Sequence, residues 1–326
     1  MSRKRYWSIW VALVTIMLGL VFASPGKAQL QQPIRIVYPF PAGSAGDVMI
    51  RLLGERIRIE LDRPVIVENR IGGAGRIGVQ SVKSATPDGS TLLFTVIAPM
   101  AILPLLYPQL GYDPIADFAP ITQVGTYEFV AAVGPKAPVT SLKEFVTWAK
   151  ANPKDASYGV PAAGTLPHFL GAMFAQATDL DMQAITYRGG APAITDLLGG
   201  QYPLLFIGTT DVLEPHNAGR IRILATSDRQ RTALLPDVPT FRESGFNITG
   251  NGWYGLYAPA GTPEAFISRI NKIVVTAIKD QAIRDRLLAF GLTPTGTTAA
   301  EFGEIQKADM ELWRPAVKAS GFKPEP

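Results

Sequence analysis

Short β-branched, apolar runs alternate along this chain with segments whose apolar positions recur every three or four residues. Residues 35–38 read as a strand, and in 48–61 the side chains of Met49, Leu52, Leu53 and Ile57 repeat at helical spacing. Residues 64–69 predict a second strand, Val79 and Val82 mark a helix that stops at the turn Pro87-Asp88-Gly89, and 91–97 predict a third strand. The order β-α-β-α-β predicts a parallel sheet with crossover helices. Residues 98–120, rich in proline and large apolar side chains, read as a cap with a short helix near 100–106.

A second series follows. Residues 129–133 predict a strand, and Ser141 opens a helix that runs to Lys150; the chain is expected to cross here into a second unit. Next come a strand at Tyr158, a helix over 167–177, a strand over 182–187, a helix over 191–198, a strand over 204–207, a helix over 212–218 and a strand over 222–225. Past the turn Leu235-Pro236-Asp237-Val238-Pro239, a strand over 253–257 and helices over 263–279, 281–290 and 299–319 complete the chain. The pattern predicts an α/β protein of two lobes, each a mainly parallel sheet flanked by helices. Lobe 1 is expected over 29–131 and 250–326, and lobe 2 over 132–249. Ligands of open parallel sheets sit beyond the carboxyl ends of the strands, so a cleft would gather the loops after Tyr38, Thr95, Tyr158, Tyr187 and Ile207.

Composition changes this picture in three ways. The 326 residues suffice for two medium domains. The first 28 have the form of an export signal: Arg3, Lys4 and Arg5, an apolar run over 7–23, then small residues up to Ala28, after which cleavage is expected, with Ala23 as the alternative. An uncleaved anchor is the rival reading of that run, against which Ser8 and Thr15 interrupt it and small residues follow. Removing the leader's four basic residues from the total of 31 leaves 27 against 27 acidic ones, so the net charge of +4 belongs to the leader. No basic stripe with interleaved aromatics remains, and nucleic acid is not an expected partner. With no cysteine and two scattered histidines, no metal cluster and no cofactor are expected.

The candidate chemistry lies at three strand exits. Tyr38-Pro39-Phe40-Pro41-Ala42-Gly43-Ser44-Ala45-Gly46-Asp47 turns a strand into a helix with its amides exposed, an arrangement that favours carboxylate or phosphate. Ala162-Ala163-Gly164-Thr165-Leu166-Pro167-His168 echoes it, with Thr165 as N-cap and His168 as a donor to a carboxylate or a brace of the loop. Tyr187-Arg188-Gly189-Gly190 is the third, and Asp196 behind it reads as an intramolecular partner. Gly73-Ala74-Gly75-Arg76-Ile77-Gly78 matches a dinucleotide fingerprint but lacks the acid expected at the end of the next strand. Gly43-Ser44-Ala45-Gly46 is one residue short of a nucleophile elbow, which keeps a secreted serine hydrolase using Ser44 as the alternative function.

These residues together resemble the Bug-type extracytoplasmic solute receptors of tripartite tricarboxylate transporters. The resemblance runs from about Gln32 to Pro324. Pro33-Ile34-Arg35-Ile36-Val37 with Pro39-Phe40-Pro41-Ala42-Gly43 and Asp47, Val67-Glu68-Asn69-Arg70, Tyr112-Asp113-Pro114, Asp117-Phe118-Ala119-Pro120, and Gly164-Thr165 with His168 carry its first half. Tyr187-Arg188-Gly189-Gly190-Ala191-Pro192-Ala193, Thr195-Asp196-Leu197-Leu198-Gly199-Gly200-Gln201, Leu235-Pro236-Asp237-Val238-Pro239-Thr240 and Trp253-Tyr254-Gly255 carry the rest. It implies a two-lobed periplasmic binding protein of type II-like fold, monomeric and without catalysis. Such a receptor closes on a small carboxylate and hands it to a membrane permease. The acid would be a di- or tricarboxylate, or an aromatic or amino-acid-like acid. Carried over, Phe40, Pro41, Ala42, Gly43 and Asp47 form the first ligand loop, Gly164, Thr165 and His168 the second, and Tyr187 and Gly189 the third, and Ser44 and Ala163 within those loops are expected at the ligand as well. Ser44 and Gly46 depart from the family pattern, and Ile207-Gly208 stands where an acid and an amide are common. Losing acids there is expected to admit a second carboxylate or an apolar body.

Overall fold

The computed structural model describes residues 32–323, so the leader expected over 1–28 lies outside the described residues. β1 (Ile34–Tyr38) stands between β2 (Val65–Asn69) and β3 (Thr91–Val96), parallel to both. A strand enclosed in this way must be apolar on both faces, and Ile34, Ile36, Val37 and Tyr38 are all buried. α1 (Ala45–Leu61) and α2 (Arg76–Lys83) make the crossovers. α1 lays Met49, Ile50, Leu53 and Ile57 against the sheet and ends at Asp62, whose left-handed backbone lets its amide reach the last carbonyls.

β4 (Phe118–Tyr127) was not expected, since residues up to 120 read as a cap. Pro120 and Gly125 hide its alternation. The register against β10 (Gly252–Pro259) slips between Leu256 and Tyr257, at the pairing of Tyr257 with Pro120, so the irregularity falls where proline has no N–H to give. β10 runs antiparallel between β3 and β4, and β11 (Thr293–Pro294) pairs with the far edge of β4, giving the order β2-β1-β3-β10-β4-β11.

The second sheet repeats this scheme. β6 (Ser157–Val160) lies between β7 (Gln183–Thr186) and β8 (Leu204–Gly208), parallel to both. β5 (Phe129–Val133) runs antiparallel between β8 and β9 (Arg222–Thr226). In each sheet a parallel trio has its first strand in the middle, one antiparallel strand follows, and a further strand runs with the trio. Four of the six strands of the first sheet and four of the five of the second therefore point one way. The antiparallel strand is, in both sheets, the first strand laid down after the chain enters from the other: β5 after β4, and β10 after β9. The whole of β5 belongs to the second sheet, so the chain passes over at Glu128, earlier than the turn region after Val133 where the crossing was expected.

The remaining helices are α3 (Leu103–Leu106), reached through a π-type turn over Ala98–Ile102, α4 (Leu142–Ala151), α5 (Leu166–Thr178), α6 (Gly190–Leu198), α7 (Thr209–Asn217), α8 (Glu264–Lys279), α9 (Gln281–Ala289) and α10 (Ala299–Ala319). α10 starts in a capping box between Thr298 and Glu301 and joins the two halves. Its Phe302 and Trp313 belong to one continuous apolar cluster that holds Val37, Leu93 and Tyr257 of the first sheet and Phe169, Phe174 and Phe206 of the second half. Buried Gln306 on α10 donates to the carbonyls of Met100 and Pro114 and accepts from the Tyr257 hydroxyl, fixing the cap to the helix. Among the described residues no helix is long and apolar enough to cross a membrane.

Candidate functional site

The loop after β1 is built around Asp47. Gly43, in the left-handed region at φ 80°, donates its amide to Asp47 Oδ2 at 3.0 Å. Arg51, one helical turn on, grips both carboxylate oxygens at 2.9 and 3.0 Å, and Asn69 at the end of β2 donates to Asp47 Oδ1 at 2.9 Å and to the Phe40 carbonyl at 3.0 Å. Burial alone would raise this carboxyl; the bonds from Arg51, Gly43 and Asn69 outweigh it and hold the group down to about 2. Ser44 caps α1, accepting from the Asp47 amide while its hydroxyl donates to the Pro41 carbonyl at 2.9 Å. Phe40 packs on Tyr38 with ring centres 5.5 Å apart. Pro41, Ala42 and Gly43 remain exposed, and a Cβ added to Gly43 would meet nothing within 4 Å.

The loop after β6 has the same bonding pattern with different chemistry. Gly164, at φ 71°, donates its amide to His168 Nδ1 at 3.1 Å, and the Thr165 hydroxyl donates to the Ala162 carbonyl at 2.7 Å. Thr165 stands at the N-cap of α5 without capping it. In both loops a left-handed glycine therefore gives its N–H to a side chain four residues on, and the intervening hydroxyl residue closes the turn. His168 is the brace here, not a ligand donor through Nδ1. Burial pushes its imidazole below the ordinary value, and Nδ1 must be unprotonated to accept the Gly164 amide. Ala163 is exposed, and the amides of Thr165 and Leu166 meet no acceptor among the described residues.

The third exit behaves differently. Tyr187, expected at the ligand, turns its hydroxyl to Asp196 Oδ2 at 2.9 Å and packs on Tyr202, so it holds the loop and Asp196 is the internal partner foreseen for it. Gly189 takes φ 112°, bonds the Pro161 carbonyl at 2.8 Å and has nothing within 4 Å of a would-be Cβ. Two of the three glycines of the apparent dinucleotide fingerprint, Gly75 and Gly78, serve the first loop. A Cβ on Gly78 would stand 2.7 Å from the Pro39 side chain, and one on Gly75 3.0 Å from Pro99 and 3.3 Å from Phe40. That motif is a close-packed buttress. The Ser44 alternative fails on geometry: both histidines spend Nδ1 on backbone amides, His168 on Gly164 and His216 on Ile223, and Ser44 bonds Pro41, Asp47 and Tyr38.

Two features escaped the sequence. Arg51 was legible in principle, as a base four residues after Asp47 on a helix. Glu128, between β4 and β5, gave no signal. It is 6 % exposed, its Oε2 has no partner among the described residues, and burial raises its carboxyl to about 7, opposed by a bond from Thr232 and assisted by Asp228. Beside it the two crossing segments are stitched together. Phe129 and Ser227 exchange bonds, Ser227 Oγ donates to Asn251, and the Gly250 amide donates to the Ser227 carbonyl.

Comparison with known proteins agrees with this arrangement. Residues 49–322 match the tripartite tricarboxylate transporter family receptor. Protein BugT of Bordetella pertussis is 31% identical over 294 residues, covering 90% of each chain. A solved periplasmic transporter is 35% identical with a TM-score of 0.73, covering 91% of this chain and 99% of its own. An R. palustris protein solved with adipate is 27% identical with a TM-score of 0.74, covering 90% of this chain and 99% of its own. With its two similarly wound sheets and their matching loops, this chain belongs to the periplasmic receptor family of the tripartite tricarboxylate transporters, a family of solute receptors and not of enzymes.

Proposed function

We propose that this chain is exported, loses its leader after Ala28, and as a monomer captures a small carboxylate between the exits of its two parallel trios for delivery to a membrane permease. The chain before Glu128 together with the chain from Gly250 onward would move as one lobe and the stretch between them as the other, with the passage at Glu128 and the Ser227–Asn251 stitch as hinge. The observation that supports this most is the shared loop pattern, Gly43-Ser44 with Asp47 and Gly164-Thr165 with His168, at the carboxyl ends of β1 and β6. The two jaws differ in charge. The first already holds an internal carboxylate, whereas the second pairs unbonded amides with a neutral imidazole, so the positive end of the α5 dipole is left for an external anion. Phe40, Pro41, Ala42, Gly43 and Ser44 would close over the ligand from the other side, with Gly189 at the rim.

Gly43→Trp tests the clamp, because the new side chain projects into open space in front of the loop. Wild-type protein is expected to show a rise in Tm with a saturating small carboxylate, by mass action, and the variant is expected to lose that rise while remaining folded. An unaltered rise would rule the first loop out.

A further inference from the structure

We propose that Tyr38 is a positioning residue of the first ligand loop: its buried hydroxyl, given room by the bare Gly46, holds Ser44 on the Pro41 carbonyl and so keeps the Ala42 amide turned to the ligand. This rests on the carboxylate-receptor reading above. Ser44 has one proton to give, and it goes to the Pro41 carbonyl at 2.9 Å. At the 3.1 Å contact between the Tyr38 and Ser44 hydroxyls, Tyr38 is therefore the donor. Burial raises the phenol above its ordinary value, so the proton it gives stays in place. With the Asp47 amide donating at 3.4 Å as well, the Ser44 hydroxyl is fully engaged. The Pro41–Ala42 peptide is planar and trans, so a carbonyl drawn inward onto Ser44 sends the Ala42 N–H outward. That amide meets no acceptor among the described residues, and Ala42 is exposed.

Gly46 is the residue that this arrangement explains. It lies in the first turn of α1, where glycine weakens a helix, and a Cβ there would stand 2.3 Å from Tyr38 Oη and 2.6 Å from Tyr254 Cε1. Any side chain at 46 displaces the phenol from the place where it reaches Ser44. The Tyr38 ring has no room to retreat, since Phe40 and Phe94 pack on it with ring centres 5.5 and 5.7 Å away and Phe94 stacks on Tyr254 at 5.6 Å. Tyr38, Ser44 and Gly46 thus work as one unit, and the departures from the family pattern at 44 and 46 are a single change joined through Tyr38. The second loop is built without it: Thr165 bonds the Ala162 carbonyl at 2.7 Å with no further hydroxyl behind it among the described residues.

The test is NMR titration of the isotope-labelled mature protein with succinate, adipate and benzoate, following the Ala42 amide and, as internal reference in the second loop, the Ala163 amide. In wild type at least one acid is expected to move both amides along one saturation curve. Tyr38→Phe, which keeps the ring, is expected to weaken that acid roughly tenfold and to shrink the Ala42 shift at saturation while leaving that of Ala163 in place. Ser44→Ala is expected to do the same, and the double variant to be no weaker than either single one. Gly46→Ala, a change that favours the helix, is expected to reproduce the loss. Thermal unfolding of each variant verifies that it is folded. A Tyr38→Phe protein that binds as wild type does, one that weakens with its Ala42 shift intact, or a wild-type response at Ala163 alone would overturn the role of Tyr38 and leave the carboxylate reading standing. If none of the three acids moved either amide of wild type, both would fall.

Discussion

At the scale of single residues, the site is a matter of which polar groups are already satisfied. Asp47 looks from its position like a ligand contact, yet Arg51, Asn69 and the Gly43 amide consume its acceptor capacity, so its work is to hold the loop. Its depressed carboxyl has a consequence for stability. A group that titrates at about 2 when folded, against 3.8 ordinarily, contributes fully above the higher value and loses that contribution as pH falls through the lower. Urea unfolding of wild type should therefore lose about 2 kcal/mol between pH 5 and pH 2 from this group alone, a share that Asp47→Asn should lack. Equal slopes for the two proteins would mean that the Asp47 network adds nothing to the fold. His168 has the complementary role, and its chemistry could not be read from type alone: the same ring can donate or accept, and only the fold aims Nδ1 at the Gly164 amide.

Elements were legible wherever one physical signal dominated. The strands β1, β3, β6 and β8 and each long helix follow from β-branched or apolar runs and three-to-four spacing because they bury one face or both, whereas β2 and β7, at the sheet edges and only partly buried, follow from residue type alone. β4 was hidden by Pro120 and Gly125, and β11 by its two-residue length. The antiparallel insertion of β5 and β10 was not legible, since periodicity carries no strand direction. Of the site, the loops and their glycines could be read in advance; the turning of Tyr187 to Asp196 and the approach of Tyr38 to Ser44 past the bare Gly46 are tertiary facts. The passage from β4 to β5 carries its own prediction. Glu128 is raised to about 7 from 4.5, so the folded state keeps a proton that the unfolded state releases, and stability present below 4.5 is lost as pH rises through about 7. Wild type should lose about 3 kcal/mol across that window, and Glu128→Gln should be flat there and the more stable protein at pH 8. A Gln variant that is less stable at pH 8 would contradict this.

At the scale of the molecule, the two sheets are wound alike and the loops after β1 and β6 are bonded alike, but these two loops are electrically unequal. Both leave helix-start amides unbonded among the described residues, but the first also carries the ion-paired Asp47 carboxylate whereas the second carries a histidine. α10 joins the apolar cores of both halves, and Phe322 beyond it packs against His168 and Phe169, with ring centres 6.1 and 6.5 Å apart, so the second loop is backed by the end of the chain. The surface groove lined by Arg56, Glu60, Arg269 and Lys272, about 410 Å³, lies by the C-terminal end of α1, away from the loop at its start. The central claim is that this architecture clamps an anionic carboxylate between unequal jaws. Its most direct test is paired titration of the mature protein with a panel of small carboxylic acids and their methyl esters, which keep the shape and remove the charge. At least one acid should bind saturably while its ester does not; an ester that binds as tightly as its acid, or a panel in which no acid binds, would contradict it.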